Sequence, residues 1–243
     1  MKYNMKPYEH NVQMLYLPEY TQLLRRIQGE IDDILIEKGF QECLFPKLIS
    51  FDSFTTLAKA NSRFLSEWKE EAIFTEPIVI EGNKKKFALA HWQCEPFYFF
   101  LKKNPNKEFK FFEHSGWSYR KEKYFNNYRL FEFLRTEIVF CVKDDNAKVL
   151  YNMLIDGLYD YLKHLLPFEI RITKKVDEEA FSNEREVIDI EVLKNNEWIE
   201  IVGSHLHGNI FVDALNIKNN EAYCTGCCGI GLSRIVNLLF SAN

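Results

Sequence analysis

Apolar residues recur at helical spacing in two long stretches of the chain. Between residues 18 and 38 they fall at every third or fourth position, after Pro18, which suits a first helical turn, and before Gly39, which suits a stop. Residues 146–165 repeat the pattern and predict a second helix, amphipathic or largely buried. A third helix is predicted from about Leu232, after a glycine-rich turn.

Much of the remaining chain reads as strands, because apolar and polar positions alternate between turn residues. The predicted strands are 42–50, 76–82, 85–92, 109–122, 128–142, 168–175, 187–194, 197–204 and 209–217. Residues 50–70 look helical and polar. Helix, then many antiparallel strands, then helix predicts an α+β fold, an antiparallel β-sheet flanked by helices. A single domain over residues 1–243 is the simplest organisation.

Composition narrows the classes of function. The 243 residues carry a formal net charge of −4, whereas proteins that grip nucleic acid usually present a basic face. The opening residues are polar, and no apolar run reaches the roughly 20 residues of a membrane span. A cytoplasmic location is therefore expected, in which the six cysteines serve packing or metal binding rather than disulfides.

Three segments carry candidate chemistry, and they occur in a fixed order. They are GFQECLFPKLIS at 39–50, WSYRKE with FLRTE within 117–137, and GIGLSR at 229–234. Together they resemble the three motifs of the class II aminoacyl-tRNA synthetases. The resemblance implies the catalytic fold of that class and the use of ATP and Mg²⁺ to activate an amino acid as an aminoacyl-adenylate. It also implies a homodimer, formed through the strand of Pro46 and the helix before it.

Adenylate formation requires cations against the phosphates of ATP and a divalent ion held by a carboxylate. Arg120, on a predicted strand, and Arg234, on a first helical turn, are candidates for the phosphates. The resemblance assigns Glu200 to Mg²⁺, Glu122 to the adenine amino group and Phe133 to the adenine ring. Arg120, Arg234 and Glu200 are thus the candidate catalytic residues. Exposed charges and a core phenylalanine are the alternative interpretation.

The stretch AHWQCEPFYFF further resembles methanogenic-type seryl-tRNA synthetases and their small relatives, the amino acid:[carrier protein] ligases. The resemblance implies a Zn²⁺ ion held by Cys94, Glu137 and Cys227. Three protein ligands leave one tetrahedral position open, which suits binding of the substrate amino group. Cys228 is an alternative to Cys227 as ligand, and simple packing is the alternative for Cys94.

Two histidines are weaker candidates for the amino-acid pocket. His205 and His207 share one face of a predicted strand, and surface histidines are the alternative interpretation. The family usually has Asn at the position of His205 and a carboxylate at the position of Ser233, so the chain departs from the pattern at both places.

The acceptor of the activated amino acid is inferred from the same resemblance. Seryl-tRNA synthetases carry an N-terminal tRNA-binding region, and the first predicted helix begins near residue 18. We therefore expect a small amino acid to be transferred to the phosphopantetheine thiol of an acyl or peptidyl carrier protein, with tRNA an unlikely partner. The alternatives are another acceptor, such as tRNA or a biosynthetic amine, and a non-catalytic paralogue that binds or regulates. The sequence does not identify the amino acid.

Overall fold

A seven-stranded sheet is the centre of the fold in a computed structural model that describes residues 8–10, 13–60, 70–123, 126–175, 185–217 and 222–241. The strands are β1 (Tyr8–His10), β2 (Gln13–Leu15), β3 (Gln41–Glu42), β4 (Leu48–Ser50), β5 (Ile78–Ile80), β6 (Asn83–Lys85), β7 (Phe87–Leu89), β8 (Phe109–Tyr119), β9 (Glu132–Lys143), β10 (Ile170–Lys174), β11 (Glu186–Lys194), β12 (Glu197–Gly208) and β13 (Tyr223–Ile230). The helices are α1 (Pro18–Glu37), α2 (Phe51–Ala58), α3 (Glu95–Lys103), α4 (Asp144–Leu165), α5 (Ile210–Ala214) and α6 (Leu232–Phe240).

The strand order in the central sheet is β10-β11-β12-β13-β9-β8-β3. Every neighbouring pair is antiparallel except β3 and β8, which run parallel. Three short two-stranded pairs, β1-β2, β4-β7 and β5-β6, complete the described strands. The predicted α+β class, with an antiparallel sheet flanked by helices, is confirmed.

Two hydrophobic cores cover the two faces of this sheet. Helices α1, α4 and α6 pack on one face, with Ile31, Leu158 and Ile235 fully buried. Helices α2, α3 and α5 pack on the other face, where Phe97 and Phe211 lie. Because strand residues point alternately to the two faces, the strands β8, β9 and β13 contribute to both cores.

The three predicted helices are confirmed in position. In α1 the apolar residues Ile27, Ile31 and Leu35 recur at four-residue spacing and are fully buried. The helix ends just before Gly39, whose φ of +78° lies in the left-handed region that glycine adopts without strain. None of the described helices is both long and apolar enough to cross a membrane.

Several predicted strands are wrong or divided. Residues 42–50 do not form one strand: β3 ends at Glu42, and β4 begins only after the irregular segment that holds Pro46, a poor residue for a sheet ladder. Residues 85–92 are likewise divided, because β6 pairs with β5 whereas β7 turns to pair with β4. Part of the predicted helix at 50–70 is α2, and residues 61–69 lie outside the described residues.

The largest errors fall near the C-terminus. Residues 209–217, predicted as a strand, contain the short helix α5, since a brief apolar run fits a buried helix as well as a strand. The segment predicted as a glycine-rich turn is mostly β13, a central strand. Helix α3 was not predicted, although Pro96 begins it and Phe97 and Leu101 share its buried face.

Candidate active site in the central cleft

A cleft of about 360 Å³ opens beside the sheet, and nearly all of the predicted site residues line it. Those lining it are Cys94, Arg120, Glu122, Phe133, Glu200, His205, His207, Cys227 and Arg234. The remaining candidate, Glu137, is fully buried and places a carboxylate oxygen within 4.8 Å of the sulfur atoms of Cys94 and Cys227. The structure therefore brings together residues that are widely separated in the sequence.

The two candidate arginines are held by backbone contacts around the cleft. Arg120 was predicted on a strand, but β8 ends at Tyr119, and Arg120 follows it with its N–H donated to the carbonyl of Phe131 at 2.9 Å. This hydrogen bond extends the pairing of β8 with β9 past the end of β8 and fixes the backbone of Arg120. Arg234 lies in the first turn of α6, where its Nη1 donates to the carbonyl of Glu200 at 2.7 Å.

Glu200 lies among positive charges. Its Oε1 is 3.6 Å from Nη1 of Arg234. Partial desolvation acts to raise the pKa of the Glu200 carboxyl, whose side chain is still 51% exposed, but the charges of Arg234, Arg120 and His205 outweigh it and hold that pKa below its usual value. The pKa of Arg234 is in turn lowered, first by burial and then by Arg120, although Glu200 opposes the change. Glu200 is thus kept ionised. Its carboxylate interacts electrostatically with the guanidinium groups of both Arg120 and Arg234.

Glu122 and Phe133 also lie where the prediction needs them, with one correction. Glu122 was predicted on the same strand face as Arg120, but it lies beyond the strand end, between Nη1 of Arg120 at 3.9 Å and Nη1 of Arg129 at 3.8 Å. Phe133 is half-buried on β9, opposite Ser118 of β8, and presents its ring to the cleft. A flat ring beside a fixed carboxylate suits a planar base.

Cys94, Glu137 and Cys227 form a buried cluster, the "sulfur–carboxylate triad". Cys94 immediately precedes α3, Glu137 lies on β9, and Cys227 lies on the adjacent strand β13. The hydrogen bond that the Cys94 thiol donates to Cys227, together with burial, raises the pKa of Cys94 well above its usual value. Burial likewise raises the pKa of Glu137. A divalent cation would offset these costs, because thiolate and carboxylate ligands bind metals in their deprotonated forms.

Strand geometry separates the two adjacent cysteines. Cys227 belongs to the core on the α3 face of the sheet, whereas Cys228 belongs to the core beneath α1, α4 and α6. Nε2 of His207 lies 3.3 Å from the Cys227 sulfur, and the rings of His205 and His207 stack at 5.6 Å. Both histidines therefore line the cleft next to the triad, as the prediction for an amino-acid pocket requires.

Arg135 is a cleft residue that the sequence reasoning missed. Its guanidinium is ion-paired with Glu137, and the charge of Glu137 raises the pKa of Arg135 in spite of burial, which acts to lower it. A Cβ atom at Gly229 would overlap Nη2 of Arg135, so the glycine makes room for the guanidinium. The available signal was strand alternation: Arg135 lies two residues before Glu137 and points to the same face.

Three further acids near the cleft had no clear signal in the sequence. Glu71 places Oε2 3.4 Å from both Nε of Arg120 and Nε2 of His91. Asp189 pairs in register with Gly203, and burial, followed by the charge of Glu200, raises its pKa to about 6. Glu95 is fully buried in the first turn of α3, and burial raises its pKa to about 8.

Comparison with known proteins gives consistent matches over nearly the whole chain. The family described as "tRNA synthetases class II core domain (F)" matches residues 10–243. A type-2 serine–tRNA ligase of Methanothermobacter thermautotrophicus is 27% identical over 274 residues, which cover 95% of this chain and 53% of the relative. The corresponding ligase of Methanocaldococcus jannaschii is 27% identical over 280 residues, which cover 96% of this chain and 53% of the relative. The chain thus spans about half the length of the curated relatives it matches.

Solved structures agree on the fold. The Methanopyrus kandleri seryl-tRNA synthetase, crystallised with Aquifex aeolicus tRNASec, superposes with a TM-score of 0.77 at 22% identity, over 97% of this chain and 54% of that one. The Giardia lamblia prolyl-tRNA synthetase bound to prolyl-adenylate gives 0.81 at 16% identity, over 96% and 48%. At these identities the likeness concerns the arrangement of helices and strands.

Proposed function

Because the chain belongs to the family of class II tRNA synthetase core domains, we propose that it uses ATP to activate an amino acid as an aminoacyl-adenylate. In this reaction a carboxylate oxygen of the amino acid forms a bond to the α-phosphorus. The bond from that phosphorus to the bridging oxygen breaks, and pyrophosphate leaves with the electron pair. The observation that carries the proposal is the convergence of Arg120, Arg234 and Glu200 on one cleft.

Each polar residue has a role in this proposal that its surroundings support. Arg120 stabilises the α-phosphate and the incoming carboxylate from a backbone position fixed by Phe131, and Arg234 holds the γ-phosphate with a guanidinium group that the Glu200 carbonyl orients. Glu200 is ionised and would hold Mg²⁺, which prefers carboxylate and phosphate oxygens. Glu122 accepts from the adenine amino group, and Phe133 stacks on the ring.

The sulfur–carboxylate triad fits a zinc ion by the chemistry of its atoms. Two sulfurs and one carboxylate oxygen lie within 4.8 Å of one another, and zinc accepts such a mixed set. Within the described part of the chain, Oε1 of Glu137 is buried without a hydrogen-bond partner, as a free metal-binding atom would be. When bound, zinc supplies a Lewis-acid position for the neutral α-amino group of the substrate.

The acceptor is the least supported part of the proposal. The carrier protein predicted from the resemblance stays a prediction, since the relatives found are named as tRNA ligases. These names favour tRNA as a second candidate acceptor, against the sequence prediction that tRNA is unlikely. The names also favour serine among the small amino acids.

Amino-acid-dependent exchange of labelled pyrophosphate into ATP tests the activation step. We expect exchange with at least one amino acid, and a loss of about 100-fold or more in kcat/KM in the Arg234→Ala variant, since a preorganised charge contact to the reacting phosphates is lost. Arg26→Ala is the matched control, because Arg26 is an exposed arginine on α1 outside the cleft. Exchange with none of the twenty amino acids would contradict the proposal.

Metal content tests the triad independently of activity. We expect one equivalent of zinc in the purified protein by mass spectrometry and little in the Cys94→Ala variant. Cys228→Ala should retain the metal, because Cys228 is equally buried but points to the other core. Equal zinc content in both variants would exclude the triad as the site.

Transfer assays then identify the acceptor. The protein is incubated with ATP and a labelled amino acid that supports exchange, either with total tRNA or with a phosphopantetheinylated carrier protein. Label on the carrier alone would support the sequence prediction, and label on tRNA alone would refute it.

A further inference from the structure

Glu95 is a buried acid whose carboxylate finds no partner. It lies in the first turn of α3 and is only 2% exposed. Neither Oε1 nor Oε2 has a hydrogen-bond partner among the residues that the structure describes. Removing a carboxyl group from water without a hydrogen bond is costly, so native proteins rarely leave one in this state. An acid like this at the edge of a binding cleft points to a ligand that completes its hydrogen bonding.

The position of Glu95 connects it to the amino-acid end of the cleft. It follows Cys94 of the sulfur–carboxylate triad directly and lines the cleft together with Tyr98, His207 and Phe211. The rings of these three residues contact one another at centroid distances of 4.3 to 6.1 Å. Glu95 is therefore a polar group in a wall of the cleft that is otherwise largely aromatic.

We propose that Glu95 is the specificity-determining residue of the cleft, and that its carboxyl group accepts a hydrogen bond from a hydroxyl group on the side chain of the amino acid. This inference rests on the proposed function, in which the triad takes the α-amino group. The side chain of the substrate begins on the carbon that bears that amino group, so it starts close to the triad, and Glu95 is the chain neighbour of Cys94 in that triad. A carboxyl group retains an acceptor oxygen whether or not it is protonated.

The size of the cleft favours a small amino acid, and the unpartnered carboxyl group of Glu95 favours one that carries a hydroxyl group. At about 360 Å³ the cleft is near the lower end of ligand pockets, and the nucleotide must share it. An amino acid without the hydroxyl group would enter as easily but would leave Glu95 unpaired. Sites that hydrogen-bond a substrate hydroxyl discriminate strongly against analogues that lack it, for this reason.

Pyrophosphate exchange with serine, alanine and glycine tests the inference on the zinc-loaded protein. For the wild type we expect kcat/KM for serine to exceed that for alanine by about 1000-fold. In Glu95→Ala the ratio should fall to about 10 or below, through a much larger loss of kcat/KM with serine than with alanine. Glu95→Gln keeps an acceptor oxygen of the same geometry and should keep a ratio within about tenfold of the wild type.

The outcomes separate this inference from the function on which it rests. Exchange with no amino acid would refute the proposed function and the role of Glu95 with it. Exchange by the wild type that is as fast with alanine or glycine as with serine would overturn the role of Glu95 alone, without any variant that must fold. A serine-to-alanine ratio unchanged in a Glu95→Ala protein with a normal melting transition would overturn it as well.

Discussion

At the scale of single residues, the structure distinguishes Cys227 from Cys228, which the sequence could not do. Both are buried, and both are plausible ligands by residue type. Their side chains enter different cores, because successive residues of a strand point to opposite faces. The sequence did not decide between Cys227 and Cys228 as zinc ligand, because their segment was interpreted as part of a turn. In a turn, successive side chains do not alternate between two faces.

His91 is a second residue whose state depends on its surroundings. It is fully buried beside the cleft, with Nδ1 3.3 Å from the carbonyl of Tyr119. Burial, followed by the charge of Arg120, lowers the pKa of His91 well below its usual value. The carboxylate of Glu71, 3.4 Å from Nε2, would favour the charged ring, but Glu71 also contacts Arg120 and is 40% exposed to solvent. His91 is therefore neutral in the folded protein.

This burial predicts a loss of stability in acid. Because the folded pKa lies below the unfolded value near 6.5, the unfolded chain binds more protons as the pH falls below 6.5, and the free energy of unfolding decreases. Urea unfolding of the wild type between pH 6.5 and 5 should show a slope of up to about 1.4 kcal/mol per pH unit from this group. His91→Gln should lack that component, whereas His164→Gln, at an exposed position on α4, should retain it. Identical slopes in wild type and His91→Gln would contradict the assignment.

At the scale of elements, β13 depends on space that its glycines leave. A Cβ atom at Gly226 would overlap the ring of Phe140, and one at Gly229 would overlap the guanidinium of Arg135. Glycine usually weakens a strand, but here it admits large side chains from the neighbouring strand β9. The glycines that led to the prediction of a turn therefore serve the packing of β13 against β9.

Gly229→Ala tests this packing. The added methyl group must displace Arg135 from its pair with Glu137, and we expect a loss of about 1–3 kcal/mol in the free energy of unfolding. Gly29→Ala is the matched control within α1, because a Cβ atom there meets no described atom within 4 Å. It should stabilise the protein by about 0.5–1 kcal/mol through helix propensity. Chemical denaturation of both variants gives the comparison, and a stabilised Gly229→Ala protein would contradict the account.

The sequence predicted long elements well and short ones poorly. Helices α1 and α4 and the strands β8 and β9 carry enough periodic positions for one face to be recognised. A short apolar run such as that of α5 fits the periodicity of a helix and that of a strand equally well. Only its surroundings in the fold determine which of the two it forms. Candidate residues with a motif, such as Arg120 and Arg234, could be named from sequence. Glu95 and Glu71 could not, because their significance lies in which atoms are near them.

At the scale of the whole molecule, three exposed aliphatic residues in and around the segment of Pro46 form a candidate interaction surface. Leu44 is 82% exposed, and Leu48 and Ile36 are also exposed. All three belong to α1, β4 or the segment between β3 and β4, the region of Pro46. Large exposed aliphatic groups on neighbouring elements are typical of an interaction surface. We propose that this surface forms the homodimer that the family resemblance implies.

Light scattering tests the dimer. The wild type should have twice the chain mass of 28.9 kDa, and Leu44→Lys should reduce the mass to that of one chain, since a buried unpaired charge opposes association. Val149→Lys is the control, because Val149 is comparably exposed on α4. A monomeric wild type, or a Leu44→Lys protein that is still dimeric, would refute the proposed interface.

The continuity of β13 with α6 links the two ends of the cleft. Cys227 lies on the strand and Arg234 on the helix, and between them the N–H of Gly231 is held by the carbonyl of Ile201 at 2.8 Å. One continuous piece of backbone thus bears a group assigned to each substrate. If binding of one substrate shifts this segment, it changes the affinity for the other, and reciprocity of coupling free energies demands that the two factors be equal.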